Sequence, residues 1–396
     1  MRKICSLMAA LCFFAVFIGN AAAADTQTKQ QEKAVEDYQT SGVVLQNLPV
    51  FYEQLKDKLT YPMSWNSNKY SNFNSWKKDA HNRVMLALPT EKKVPFAPQV
   101  LAKEDRGTYT AEKIAFNITP ESRVLALVLV PKGNGPFPAA VLLHDHGGEF
   151  TIGKEKMIKT WGDTDKETIA EKWSQKYFSG RFVGDELAKR GYVVLATDAL
   201  GWGDRGPLKS DAQQALASNM FNLGSSLGGL MAYEDMRSVD FLASQPQVDK
   251  NKIASIGFSM GAYRSWQLAA LSDKVKAGIA VCWMGTTKGL MVPGNNQLKG
   301  QSAFQMMLPG VVNDLDYPDV ASLAAPKPML FYNGGIDTLF PPDTVQQAYD
   351  GMHKVWDSQH VDSKLETKIW AGLGHVFVQE EQEAAFAWLD RQLGIK

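Results

Sequence analysis

The sequence predicts an α/β fold: a mostly parallel sheet covered by helices on both faces. Three observations carry that expectation. From about residue 106 onward, short apolar runs alternate with longer helix-forming stretches, the rhythm of βα units. The runs "PAAVLLHDHGG" and "GYVVLATDALG" are continuous rather than alternating, as strands buried on both faces are. Each run also ends in glycine and polar residues, and in such sheets sites lie at the carboxyl ends of the strands.

Length and composition permit this architecture. The chain has 396 residues, 45% hydrophobic and 21% charged, an ordinary globular mixture with enough apolar material for a large core. Its 42 basic and 42 acidic residues cancel, which gives no electrostatic basis for binding nucleic acid or an anionic membrane.

Taken in order, residues 1–24 read as a signal peptide. Arg2 and Lys3 form a basic start, an apolar stretch runs from about Leu7 to Ile18, and Ala22-Ala23-Ala24 offers a small-residue cleavage site. The apolar run is short for a membrane span and is followed by polar sequence. An exported protein, periplasmic or extracellular, is the expectation, with no membrane association after cleavage. Removing Cys5 and Cys12 leaves Cys282 alone, so no internal disulfide is available. Cys282, in "AGIAVCWMG", reads as a small core residue on a strand.

Residues 25–105 are polar and helix-leaning, and are expected to form an N-terminal helical extension; His81 there reads as a surface or packing residue. Residues 106–396 form the α/β domain. "KIAFNI" and "RVLALVLVPK", joined by "TPES", predict a hairpin. "FVGDELAKRGYVVLATDALGWGDRG" predicts helix, strand and loop, and "YEDMRSVDFLASQPQVDKNKIASIGF" repeats the order. "VKAGIAVCWMG", "KPMLFYNGGID" and "LETKIWAGLGH" predict three more strands, and "EEQEAAFAWLDRQLG" a closing helix. Three stretches exceed a minimal fold, at about 151–180, 206–224 and 285–325. Each comes after a strand end, so each is expected to build the rim or lid of a site.

Two pentapeptides match G-x-S-x-G, around Ser226 and Ser259. The pattern alone is weak and context must decide. Ser226 comes after "QQALASNMFNL", which is no strand, and reads as a turn or helix-cap serine. Ser259 lies between the strand-like "KIASI" and the helix-forming "AYRSWQLAAL". A tight strand-to-helix turn there needs Gly257 and Gly261, because side chains would collide with the adjoining strand and helix. Ser259 is therefore the candidate nucleophile, and the Met260 N–H at the helix start could face an oxyanion.

A serine needs a base, and the base a third group to fix its tautomer. His375 comes after the strand "LETKIWA" and so falls at the same sheet edge as Ser259. His353 sits in a helical stretch and His360 in a polar loop. Asp337 comes directly after "PKPMLFYNGG"; Asp343 reads as a helix N-cap, and Asp198 precedes the serine. The order Ser259, Asp337, His375 is the chain order of α/β-hydrolase triads. "LLHDHGGEF" then supplies the second oxyanion donor, the N–H of His146 or of neighbouring Gly147. His144 and His146 could instead ligate zinc, but no further ligands stand at workable spacing. No metal or organic cofactor is expected.

These residues lie in segments, from Thr108 to Lys396, that together resemble α/β-hydrolases of the dienelactone-hydrolase-like and acetyl-xylan-esterase-like branch. The resemblance rests on "HDHGG" with the adjoining "GKEK", "DALGWGDRG", "GFSMG", "YPDVASLAAPKPMLFYNGGIDTLFPP" and "GLGH". It implies Ser259 as nucleophile, Asp337 as acid and His375 as base. Dienelactone hydrolases proper carry cysteine at the elbow, so Ser259 favours a serine esterase. Asp204 and Arg205 in "GWGDRG" read as a loop-fixing ion pair, and Trp202, Phe258 and Trp283 as candidate walls of a substrate pocket.

The function expected is an exported serine carboxylic-ester hydrolase working through an acyl-enzyme. Its substrate would be a small-molecule or oligosaccharide ester, with acetylated polysaccharide fragments favoured by the resemblance. The alternatives are a serine exopeptidase of prolyl-oligopeptidase type, for which the N-terminal extension is too short to gate the site, and a non-catalytic carbohydrate-binding homologue.

Overall fold

The computed structural model describes residues 49–90, 92–292, 295–296 and 304–395. The signal-peptide reading, with Cys5 and Cys12, lies outside the described residues. Two compact units divide between Asp57 and Lys58. In the first, helix α1 (Tyr52–Asp57) carries a Lys56–Glu53 ion pair one turn apart.

The first α-helix of the second unit is α2 (Phe73–Met85), capped by the Asn72 side chain, which accepts from the Ser75 N–H. Trp76, Ala80 and Val84 recur every four residues and are wholly buried, so one stripe of α2 faces the core. The chain then enters the sheet: β1 (Gln99–Asp105), β2 (Tyr109–Asn117), β3 (Arg123–Pro131) and β4 (Phe137–Leu143). Helices α3 (Thr164–Tyr177) and α4 (Val183–Lys189) come next, then β5 (Val193–Thr197). After them stand α5 (Ser210–Asn222), α6 (Leu227–Ser244), β6 (Val248–Phe258), α7 (Met260–Leu271) and β7 (Ala277–Val281). Beyond α8 (Thr287–Leu290) a small ribbon, β8 (Met291–Val292) and β9 (Asn295–Asn296), precedes α9 (Tyr317–Ser322). β10 (Met329–Gly334), α10 (Pro342–Ser358), β11 (Leu365–Trp370) and α11 (Gln379–Leu393) complete the chain.

The main sheet has the order β1-β2-β3-β5-β4-β6-β7-β10-β11. β1, β2 and β3 are antiparallel, β3 meets β5 antiparallel, and β5, β4, β6, β7, β10 and β11 run parallel to one another. Residues along the central strands alternate between two apolar layers. Ala139, Val141 and Leu143 enter one, Ala140 and Leu142 the other, and helices cover both. This burial on both sides is why the strands read as unbroken apolar runs.

Two sequence expectations need correction. The helical extension does not reach residue 105, because 99–105 forms β1, the sheet's outer strand. Its apolar stretch is only Val100, Leu101 and Ala102, mostly exposed and followed by Lys103, Glu104 and Asp105, too short to read as a strand. Asp343 is not an N-cap: Pro341 holds that position, and Asp343 lies in the first turn of α10, where a negative charge favours the helix dipole.

Strand register sets the position of the site. Leu143 of β4 pairs with Gly257 of β6, and Phe258 of β6 with Val281 of β7. The three strands therefore end level with one another, and the residues just beyond them share one rim.

Candidate active site

Ser259 sits between β6 and α7 with φ 56° and ψ −125°, a backbone conformation that non-glycine residues adopt only under constraint. The constraint is visible on both sides. A Cβ on Gly257 would lie 1.9 Å from the Gly261 carbonyl oxygen, and one on Gly261 would lie 1.8 Å from that of Leu143. The Ser259 N–H donates to the Val281 carbonyl at 2.8 Å, which ties the turn to the end of β7.

Both G-x-S-x-G serines precede helices, and they differ in how Oγ is used. Ser226 is the N-cap of α6, and its Oγ accepts from the Gly229 N–H at 2.9 Å. Ser259 occupies the corresponding place before α7, yet its side chain makes no capping bond. Its Oγ lies instead 2.8 Å from His375 Nε2. The Met260 N–H, at the first helical position, has no acceptor within α7.

His375 Nδ1 lies 2.7 Å from Asp337 Oδ2, and Asp337 Oδ1 accepts from the Leu339 N–H at 2.9 Å. The Asp337 carboxylate is fully buried, whereas the His375 side chain is 22% exposed. Both come after parallel strands, Asp337 after β10 and His375 after β11. The imidazole is flanked by Phe258, with ring centroids 4.9 Å apart, and by Phe340 at 6.2 Å, whose ring plane is nearly parallel to it. The structure thus brings Ser259, His375 and Asp337 into one hydrogen-bonded chain. His353 bonds the Thr367 hydroxyl and His81 the Leu271 carbonyl, both away from it.

Cys282 lies one residue past β7, at φ 61°, not on the strand as the sequence suggests. It is buried against the histidine loop, with Sγ 3.4 Å from the Val376 carbonyl. Burial pushes its thiol well up, and the charges of Asp337 and Glu381 push in the same direction. A buried, protonated thiol is a packing group, not a nucleophile.

The loop after β4 holds His144, Asp145 and His146. His144 is wholly buried, with Nδ1 2.8 Å from the Asp145 carbonyl and Nε2 accepting from the Ala199 N–H at 3.0 Å. His146 Nδ1 lies 2.8 Å from the Gly147 carbonyl and Nε2 3.2 Å from the Gln213 side-chain amide. Burial lowers the pKa of both imidazoles, and nearby cations add to the effect. With all four ring nitrogens engaged by protein, neither histidine offers a free metal ligand. Among the described residues, the one trio of candidate ligands comprises Cys282, Asp337 and His375, and its acid and base already bond each other.

"GKEK" and "GWGDRG" meet beside this loop. Asp204 and Arg205 do not pair with each other as expected. Asp204 accepts from Lys154 and Lys166, while Arg205 grips both carboxylate oxygens of Glu234. Burial alone would raise the Asp204 carboxyl, but the two lysines hold it at about 2. Lys154 also bonds the buried Asp198, so an ion network joins these two loops. Trp202, Phe258 and Trp283 are at most 1% exposed. Trp202 Nε1 donates to the His146 carbonyl, and Trp283 packs on Tyr263 and Tyr317, so both rings are packed within the protein and present no open wall. An apolar cavity of about 460 Å³, lined in part by Tyr263, Trp266, Leu308 and Tyr317, lies along α7; none of the triad side chains line it.

This sheet order, the strained serine turn and the Ser–His–Asp chain define an α/β-hydrolase. The sequence pattern of the Abhydrolase family matches residues 20–368, and the chain belongs to that family. It is 27% identical over 278 residues to the putative hydrolase YtaP of Bacillus subtilis (strain 168), covering 70% of this chain and 86% of that one. Among solved structures it is similar to BF1801 of Bacteroides fragilis NCTC 9343 (TM-score 0.65, 19% identity, 81% of this chain and 82% of that one). It is also similar to a glucuronoyl esterase from Solibacter usitatus (0.59, 14%, 84% and 97%) and to acetyl xylan esterase 1 from Thermoanaerobacterium sp. JW/SL YS485 (0.54, 16%, 88% and 99%).

Proposed function

We propose that the protein is a serine carboxylic-ester hydrolase that works through an acyl-enzyme and deacylates carbohydrate esters. The observation that carries the reading is the unbroken chain from Asp337 through His375 to Ser259 Oγ. In this reading His375 Nε2 takes the Oγ proton as Ser259 attacks the ester carbonyl. Asp337 holds the Nδ1–H tautomer and stabilises the imidazolium. The Met260 N–H and an N–H from the His146–Gly147 segment receive the oxyanion, each donor being worth on the order of 10²–10³ in rate. His375 then protonates the leaving alcohol, and water repeats the sequence on the acyl-enzyme.

The carbohydrate preference is supported by the sequence resemblance and by the esterases named among the structural relatives. Residues 1–24 support export, with the triad acting in the periplasm or outside the cell after cleavage. The test is a panel of p-nitrophenyl esters of increasing acyl length, together with acetylated xylan and an aminoacyl-anilide, with released acid quantified. Fast cleavage of acetyl esters and acetate release from xylan are expected. Preference for the anilide would replace the reading with an exopeptidase, and failure of a fluorophosphonate to label Ser259 would leave a non-catalytic homologue.

A further inference from the structure

We infer that Lys156 is a positioning residue for the oxyanion site, setting the direction of the His146 and Gly147 N–H groups by holding the far ends of their peptide planes. The inference rests on the acyl-enzyme reading of the site. Lys156 closes the short turn Lys154–Lys156 after β4 and is wholly buried. Its ammonium has three acceptors for its three protons: the Asp145 carbonyl at 3.3 Å, the His146 carbonyl at 3.1 Å and Asp145 Oδ2 at 3.2 Å. The ring of Trp173 covers it at 4.5 Å, and the Trp173 Nε1–H fixes the other Asp145 oxygen at 3.1 Å.

The two carbonyls matter because of peptide planarity. In a trans peptide the C=O of one residue and the N–H of the next lie in one plane and point in opposite directions. The Asp145 carbonyl therefore fixes the His146 N–H, and the His146 carbonyl fixes the Gly147 N–H. One cation holds both planes by their oxygens. Each oxygen has a second partner: His144 Nδ1 for Asp145 and Trp202 Nε1, at 3.0 Å, for His146. A cation on the carbonyl side also polarises the peptide and strengthens its N–H as a donor. The segment has little room to shift: Gly147 has φ 53°, and a Cβ there would lie 2.4 Å from the Trp173 ring and 2.7 Å from Asp145 Oδ2.

A plain structural brace is the competing account. Buried ion pairs add little net stability compared with apolar packing, so stability alone gives weak reason for a lysine here. Two variants separate the accounts. Lys156→Met combined with Asp145→Asn removes both charges without leaving either unpaired. Trp202→Phe removes one of the two donors to the His146 carbonyl and keeps an aromatic ring.

Each is assayed for kcat and KM on p-nitrophenyl acetate, for affinity toward a boronic acid that forms a tetrahedral serine adduct, and for melting temperature. The double variant is expected to lose about 10- to 100-fold in kcat with KM within about threefold, and boronate affinity should fall in parallel with kcat/KM. Trp202→Phe is expected to lose severalfold, in the same pattern. If the double variant fails to fold, Trp202→Phe decides. A lowered melting temperature with kcat of the folded protein within about twofold of the parent would overturn the inference, as would a change in KM alone. Ser259→Ala is run beside them. If it is inert while the Lys156 and Trp202 variants are unaffected, the positioning role falls alone; if it retains turnover, the acyl-enzyme reading falls too.

Discussion

The backbone of Gly261 lies against the carbonyl oxygen of Leu143 so closely that a Cβ would stand 1.8 Å from it. No rotamer change can relieve that contact, since a Cβ is fixed by its own backbone and its partner is a backbone oxygen. Gly261→Ala must therefore push α7 away from the end of β4, separating the Ser259 turn from the loop that carries His146. The expected result is a loss of more than about 3 kcal/mol of stability, or failure to fold. Soluble yield and thermal denaturation check it; a variant that melts with the parent would show that the turn has room for a side chain.

The two serines of the duplicated pentapeptide should separate cleanly. Ser259→Ala removes the hydroxyl facing His375 Nε2 and is expected to cut turnover of p-nitrophenyl acetate by at least about 10³-fold, with the melting temperature unchanged. Ser226→Ala deletes an N-cap bond to Gly229. Its expected cost is about 1 kcal/mol of stability, with kcat within about twofold of the parent. Equal losses of activity would reverse the assignment of roles.

Asp337→Asn tests the third member. Both carboxylate oxygens accept, one from the Leu339 N–H and one from His375 Nδ1. An amide has a single acceptor oxygen. If it serves Leu339, its NH2 faces Nδ1, the ring proton moves to Nε2, and the base is lost. A fall in kcat of about 10²–10⁴-fold with a near-native melting temperature is expected. Activity within about tenfold of the parent would mean that tautomer control lies elsewhere.

Much of this arrangement is legible in the sequence because it depends on local chemistry placed at strand ends. "KIASIGFSMGAYRSW" encodes strand, glycine-bounded turn and helix in one short stretch, and "GLGH" and "NGGID" each come after an apolar run. Long-range pairing is not legible. β1 is half polar and outermost, so no periodicity marks it as sheet. Asp204 and Arg205 are neighbours in sequence, yet their partners come from Lys154, Lys166 and Glu234, which only the fold brings near. Lys156 is visible as part of "GKEK", but its acceptors include two backbone carbonyls, which carry no sequence signature. Cys282 reads as strand because nothing in "AVCWMG" signals a positive φ.

Asp319 gives a pH-dependent prediction away from the triad. It lies in the first turn of α9, buried, accepting from the Asp316 N–H at 2.9 Å and paired with the Ser64 hydroxyl at 2.5 Å. Burial raises its carboxyl from 3.8 to about 7, and the neighbouring Asp316 charge adds to that. An acid whose folded pKa lies above its unfolded value binds its proton more tightly when folded. Its contribution to stability is therefore full below about pH 4 and is lost as pH rises toward 7, with an upper bound of ~4 kcal/mol. Asparagine can keep both bonds, its oxygen accepting from Asp316 and its NH2 donating to Ser64, without titrating. Relative to Asp319→Asn, the parent should gain stability steadily from about pH 7 down to about pH 4. Urea midpoints measured for both proteins at unit pH steps would show it, and parallel curves would mean that Asp319 is ionised in the folded protein throughout that range.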